Sequence, residues 1–201
     1  MFDQLKDLPT VEKTIAALQS NGITACYVET GETAKQKVLE WIPRGAEVMT
    51  MTSVTLETIG LTHELNESGN FDSVRHKLRS INRETQGAQM RKIGAAPEWA
   101  VGSVHAITEL GEVLVASNTG SQLAAYAYGA QHVIWIVGTQ KIVANRDEAL
   151  KRIDEYAFPL ENERAQKAYG MGSNVSKVLL ISKEITPDRL AIVFVNEKLD
   201  F

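Results

Sequence analysis

Cysteine is almost missing from this chain. Cys26 is the only one, so no internal disulfide can form, and the chain by itself can supply neither an iron–sulfur cluster nor a cysteine-rich zinc site. Redox chemistry would need a partner or a soluble cofactor. Cys26 sits in Ile23-Thr24-Ala25-Cys26-Tyr27-Val28, an apolar strand pattern without basic neighbours, the setting of an inert buried thiol. An excess of positive charge is also missing. The 21 Lys and Arg stand against 25 Asp and Glu, a net charge of −4, which gives no global field for nucleic acid or anionic lipid, so any anion site must be local. The longest apolar run, Val133-Ile134-Trp135-Ile136-Val137, falls far short of the roughly 20 residues that cross a bilayer, so no membrane insertion is expected and the run reads as a buried strand. The opening Met1-Phe2-Asp3-Gln4-Leu5-Lys6-Asp7 has neither a basic lead nor an apolar core, so no secretory signal is expected and the cytoplasm is the expected location. His63 and His132 lack partners at metal-ligand spacing, and no residue is assigned to a metal.

What is present is an ordinary globular composition. Over 201 residues, 44% are apolar and 23% charged, enough for one full-sized core, and a single domain over 1–201 is expected. Val11, Ile15, Ala16 and Leu18 fall at helical spacing before Asn21-Gly22, a strand follows at about 23–28, and helical spacing returns through Ala34, Val38, Leu39 and Ile42. Pro43-Arg44-Gly45 then breaks the pattern before Glu47–Thr52. This β-α-β alternation predicts a Rossmann-like α/β fold, a mainly parallel sheet flanked by helices, with ligands at the strand ends. Residues 53–93 read as a helical insertion of two or three short helices. Trp99–Thr108 reads as one strand, Glu109-Leu110-Gly111-Glu112 as a turn and Val113–Ala116 as its hairpin partner. Helices are predicted over Leu123–Tyr128 and Asp147–Tyr156, a polar stretch over 159–174, and closing strands over Lys177–Ile181 and Leu190–Val195.

Three segments carry groups suited to chemistry. In Gly102-Ser103-Val104-His105-Ala106-Ile107-Thr108-Glu109, strand alternation places Ser103, His105 and Glu109 on one face. A histidine exchanges protons near neutral pH, and a carboxylate at a strand end can orient it, act as base or attack as nucleophile, which makes His105 and Glu109 the catalytic candidates. The same pattern also describes a solvated strand face and an acidic turn. Ser103 lacks a Gly-x-Ser-x-Gly elbow and is read as a hydrogen-bonding residue. Ser117-Asn118-Thr119-Gly120-Ser121-Gln122 lies between a strand and a helix, where outward backbone amides could hold phosphate or carboxylate, although a plain helix cap has the same composition. It matches neither the P-loop nor the Gly-x-Gly-x-x-Gly fingerprint. Thr50-Met51-Thr52-Ser53-Val54-Thr55 follows the second strand, and its Thr50, Thr52 and Ser53 could face the same cleft; N-capping by Ser53 is the simpler account of one hydroxyl. Arg75, His76, Lys77, Arg79, Arg83, Arg91 and Lys92 read as a solvated helical face from which one Arg could reach an anionic ligand.

The run from Gly102 to Val143, with Ser103–Glu109, Ser117–Gln122 and Val137-Gly138-Thr139-Gln140-Lys141-Ile142-Val143, resembles the lactate-utilisation (LUD) domain family. The likeness extends upstream through Thr50–Thr55 and downstream to Phe194-Val195-Asn196-Glu197. The resemblance implies the fold of the superfamily that holds CoA transferases and ribose-phosphate isomerases, and the cysteine-poor subunit type of a lactate-oxidising system whose companions look like iron–sulfur proteins. Many relatives have Asn-Ala-Ile-Thr and a Gly-Asn-Arg loop where this chain has His105-Ala106-Ile107-Thr108 and Gly120-Ser121-Gln122. The expected function is therefore association with lactate or related organic-acid metabolism, through an anionic small metabolite or nucleotide-like ligand bound between 50–55, 102–109 and 117–122. The alternatives are a non-catalytic subunit or regulator partnering iron–sulfur proteins, and an acyl or phosphosugar enzyme using Glu109. No cofactor is assigned. A homo-oligomer is expected, with Trp99, Trp135, Tyr126 and Tyr128 as aromatic surface.

Overall fold

The protein, described here from a computed structural model over residues 2–201, begins with α1 (Leu8–Ser20), whose Asp7 cap accepts the Thr10 amide. There follow β1 (Thr24–Val28), α2 (Gly31–Trp41), β2 (Glu47–Thr50), α3 (Val54–Thr58), α4 (Leu61–Glu67), β3 (Asp72–Ser73), α5 (Val74–Arg79) and α6 (Arg83–Ala95). After these come β4 (Trp99–Gly102), β5 (Ala106–Thr108), β6 (Val113–Ser117), α7 (Ser121–Ala124), β7 (His132–Gly138), β8 (Ile142–Val143), α8 (Arg146–Arg152), α9 (Phe158–Tyr169), β9 (Lys177–Ile181) and β10 (Leu190–Val195). Wider π-helical turns extend α7 over Ala125–Gly129 and join α8 to α9 over Ile153–Ala157.

Six strands form a parallel sheet in the order β1-β10-β7-β4-β2-β3, flanked by helices as a Rossmann-like fold requires. Four others form a separate mixed sheet, β8-β5-β6-β9. The strand period of two explains how they stack. From β7, Val133, Trp135 and Val137 point to the side of the second sheet and join Val113, Val115 and Ile107 there, with Leu18 of α1. Ile134 and Ile136 point the other way, into Val38 of α2, Leu56 of α3 and Leu61 and Leu65 of α4. The second sheet repeats the pattern: Leu114 and Ala116 face Ala149 and Ile153 of the α8 run. Each of these large side chains contributes about 1.5–3 kcal/mol by leaving water.

Several expectations are corrected. Trp99–Thr108 is not one strand. β4 belongs to the parallel sheet and β5 to the second, and Ser103, Val104 and His105 form the crossing between them. Alternation therefore does not carry from Ser103 to Glu109. The hairpin exists, closed by the Gly111 amide donating to the Thr108 carbonyl at 2.8 Å, with Gly111 at φ 78°, but it is built into the second sheet. The 53–93 segment holds the four helices α3 to α6 and the edge strand β3. The polar stretch at 159–174 is largely α9, whose Glu163–Lys167 pair is solvated, whose Glu161–Arg164 pair is half-buried, and whose only buried residue is Ala165. Of the four aromatics, Trp135 and Tyr126 are buried in edge-to-face contact, centroids 5.2 Å apart, and Trp99 stacks on His132, leaving Tyr128 as the one widely exposed ring. No described helix is long and apolar enough to cross a membrane.

Candidate functional site

The carboxyl ends of β2, β4, β7 and β10 lead respectively into Met51–Ser53, Ser103–His105, Lys141 and Asp200, and all of these line one cavity of about 650 Å³. The end of β6, α9 and residues 171–175 line it as well. Strand ends are where open parallel sheets bind ligands, because loops there are free to vary while the sheet stays fixed.

The floor is a charged cluster that sequence reading missed. Lys141 is 2% exposed, and its ammonium has three partners: the Asp200 carboxylate at 2.5 Å, the Val104 carbonyl at 2.9 Å and the Ser103 hydroxyl oxygen at 3.2 Å. Asp200 is itself held by Thr55, while Gln140 donates to its carbonyl at 3.1 Å. Arg152, fully buried, donates to the His105 carbonyl and lies over the Tyr156 ring. Its Nε and Nη2 meet no acceptor among the described residues. The two carbonyls at the sheet crossing are thus served by cations where a sheet ladder would have supplied amides.

His105 is a different residue from the proton carrier its sequence context implied. The Ala116 amide donates to its Nδ1 at 3.1 Å, which leaves the ring neutral with its proton on Nε2. Burial, and after it the charges of Lys141 and Arg152, pull its pKa down to about 3, against the opposing pull of Asp200. At neutral pH His105 is a hydrogen-bond donor and not a proton acceptor. Burial also lowers the Lys141 pKa, opposed by Asp200, and takes Arg152 down to about 10.

The other predicted residues divide. Thr52, Ser53, Ser103, His105, Ser117, Asn118, Thr119 and Gln122 line the cavity. Thr50 does not: it is buried and shares a network with Asn66 and Ser73. Gly102 is also not on the wall. The Tyr126 hydroxyl lies 1.9 Å from where a Cβ would stand, so glycine is needed for close approach. Gly120 and Ser121 are turned from the cavity, and their amides are taken by Ser117 Oγ at 2.9 Å and Thr119 Oγ1 at 3.3 Å, the cap arrangement and not an open anion nest. Glu109 lies outside the lining, in the hairpin turn, with its carboxylate 2.7 Å from Lys13 of α1. The structure therefore does not bring Glu109 to His105's cavity.

Two signals for the floor were present in the sequence. Lys141 sits between apolar strands in Gly138-Thr139-Gln140-Lys141-Ile142-Val143, and Arg152 shares the inward spacing of Ala149 and Ile153. Asp200 offered none. Among the described residues, no group of three or more His, Cys, Asp or Glu side chains is placed to hold a metal ion.

Fold and cavity together define a Rossmann-like α/β protein with its pocket at the carboxyl ends of a parallel sheet. The family follows from the sequence match: the LUD domain model matches residues 11–195, and the chain belongs to that family, which ties it to lactate utilisation at family level. Its fold is similar to that of a DUF162 family protein from Deinococcus radiodurans, with TM-score 0.59, 11% identity, and 96% of this chain and 99% of that one covered. A weaker likeness, TM-score 0.40 at 14% identity over 59% of this chain and 44% of the other, is to eIF2B beta from Chaetomium thermophilum. No curated protein matches the chain in sequence.

Proposed function

We propose that this LUD-domain protein serves lactate or related organic-acid metabolism by holding an organic-acid anion in the cavity, its carboxylate at Ser103 and His105. The observation that carries the reading is the charge of the floor. Lys141 and Arg152 bring two positive charges, Asp200 returns one negative, and His105 is neutral, so a buried net charge of +1 faces or backs the cavity. An uncompensated buried charge costs several kcal/mol, and an incoming anion offsets it. The donors needed are in place. Because Lys141 donates to the Ser103 oxygen, the Ser103 hydroxyl proton is free to donate onward, and no described residue accepts from His105 Nε2. Two neutral donors backed by a buried cation stabilise negative charge on a carboxylate or an enolate oxygen.

Titration calorimetry with L-lactate and with lactamide, its uncharged counterpart, tests this. Lactate is expected to bind and lactamide not to. Ser103→Ala is expected to weaken lactate about tenfold or more, the usual cost of a hydrogen bond to a charged group. Glu109→Gln is expected to leave binding unchanged. Equal binding of the charged and uncharged forms, or binding of neither, refutes the reading.

A further inference from the structure

Arg75 lines the same cavity, and its chemistry is unfinished. Its Nε donates to the Thr50 carbonyl at 2.7 Å and its Nη2 to Thr52 Oγ1 at 2.9 Å, which fixes the guanidinium at the end of β2. A guanidinium has five N–H donors, so most of them remain uncommitted. Among the described residues no carboxylate lies within salt-bridge distance of Arg75, and none within that distance of Arg83, the first residue of α6, which lines the cavity as well. Arg79, Arg146, Arg164 and Arg189, by contrast, each have a carboxylate partner.

We propose that Arg75 and Arg83 form a second anion subsite, and that the cavity takes a phosphorylated carboxylic acid, with its carboxylate at Ser103 and His105 and its phosphate at Arg75. The carboxylate end rests on the reading given under Proposed function; the phosphate end rests on Arg75. The two ends are held by different groups: Arg75 by Thr50 and Thr52, Ser103 and His105 by Lys141 and the Ala116 amide. Three guanidinium groups, those of Arg75, Arg83 and Arg164, line the cavity against Glu57 and Glu161. Glu161 is paired with Arg164, so Arg75 and Arg83 stand against Glu57 alone and leave positive charge uncompensated, and the planar fork of arginine fits phosphate oxygens two at a time. Size points the same way. At about 30 Å³ per heavy atom, the share of a water molecule in the liquid, lactate fills under about 200 Å³. On that basis the cavity of about 650 Å³ has room for roughly twenty heavy atoms.

The test compares three probes by calorimetry on the full chain: D-gluconate, which has the carboxylate alone, D-glucose 6-phosphate, which has the phosphate alone, and 6-phospho-D-gluconate, which has both. The phosphorylated acid is expected to bind at least about tenfold tighter than gluconate, one charge-assisted pair's worth. Arg75→Gln should erase that advantage and leave gluconate within about twofold. Arg83→Gln, at an exposed position that the fold does not use, should cut it several-fold, which keeps the test open if Arg75→Gln fails to fold. Gluconate and its phosphate binding equally, or Arg75→Gln and Arg83→Gln leaving a difference between them intact, overturns the second subsite while the carboxylate reading stands. Glucose 6-phosphate binding as tightly as the phosphorylated acid overturns the carboxylate end, and with it the ligand proposed here. Binding of none of the three, with lactate also silent, overturns both.

Discussion

The neutral, partly buried state of His105 should appear as a pH-dependent stability that one substitution removes. Its folded pKa is about 3, while an unfolded histidine titrates near about 6.5. Between those values the unfolded chain holds one more proton at this residue than the folded protein does. Stability from His105 is therefore complete only well above about pH 6.5 and declines as pH falls through that value toward the folded one, with a limiting slope of about 1.4 kcal/mol per pH unit. Between pH 6.5 and 4.5 the integrated loss is about 2 kcal/mol, since titration of the unfolded residue is only half complete at the upper limit. Lys141 and Arg152 enforce the depression alongside burial and Asp200 opposes it, so the neighbours' own titration must cancel in the measurement. His105→Asn meets this need: an asparagine amide oxygen can stand where Nδ1 accepts the Ala116 amide, and the ionisable group is gone. Urea unfolding of parent and variant at pH 6.5 and 4.5 gives a double difference in which the titrating groups common to both drop out. The parent is expected to lose about 2 kcal/mol more than the variant over this range. Parallel pH dependence in the two would refute the neutral assignment, and with it the casting of His105 as a donor.

Two further substitutions probe the floor and its support. Lys141→Met leaves the Asp200 carboxylate buried without its ammonium and frees the Val104 carbonyl, so a loss of about 3–5 kcal/mol is expected in chemical denaturation, with a part regained when Asp200→Asn is added; additive losses would show that the pair is not coupled. Gly102→Ala drives a methyl against the Tyr126 hydroxyl and should cost about 1–3 kcal/mol, much of it relieved in a Tyr126→Phe background because the nearest remaining ring atom is 3.2 Å away.

Residues with a repeated pattern were legible in the sequence. Val133 to Val137 and Leu190 to Val195 read as buried strands because both faces of a parallel sheet are covered, and the structure places them side by side at its centre. The failure at Trp99–Thr108 has a specific cause. Polar residues at alternate positions look like one strand face whether the chain runs straight or changes sheets, and only tertiary contact tells Ser103–His105 to cross. That misreading carried Glu109 into the site. The basic set was read as a solvated face, which fits Arg79 but hides that Arg75 turns back onto Thr50 and Thr52. The Lys141–Asp200 pair joins residues that no local pattern relates, so the floor could not be assembled from spacing. The apparent departure at His105 from the asparagine of many relatives is also less than it looks, since either side chain offers an acceptor to the Ala116 amide.

The crossing at Val104 and His105 sets unequal tolerances to change within one pocket. Lys141 and Arg152 hold the backbone where the two sheets meet, so replacing either asks the molecule to find new donors for carbonyls sealed from water. The hydroxyl of Ser103 and the side chains of Asn118, Thr119 and Arg83 carry no such duty. Ligand preference can therefore drift through the second group at little cost in folding, while the positive floor stays fixed. Within this architecture the demand for an anion is more durable than the identity of the molecule that brings it.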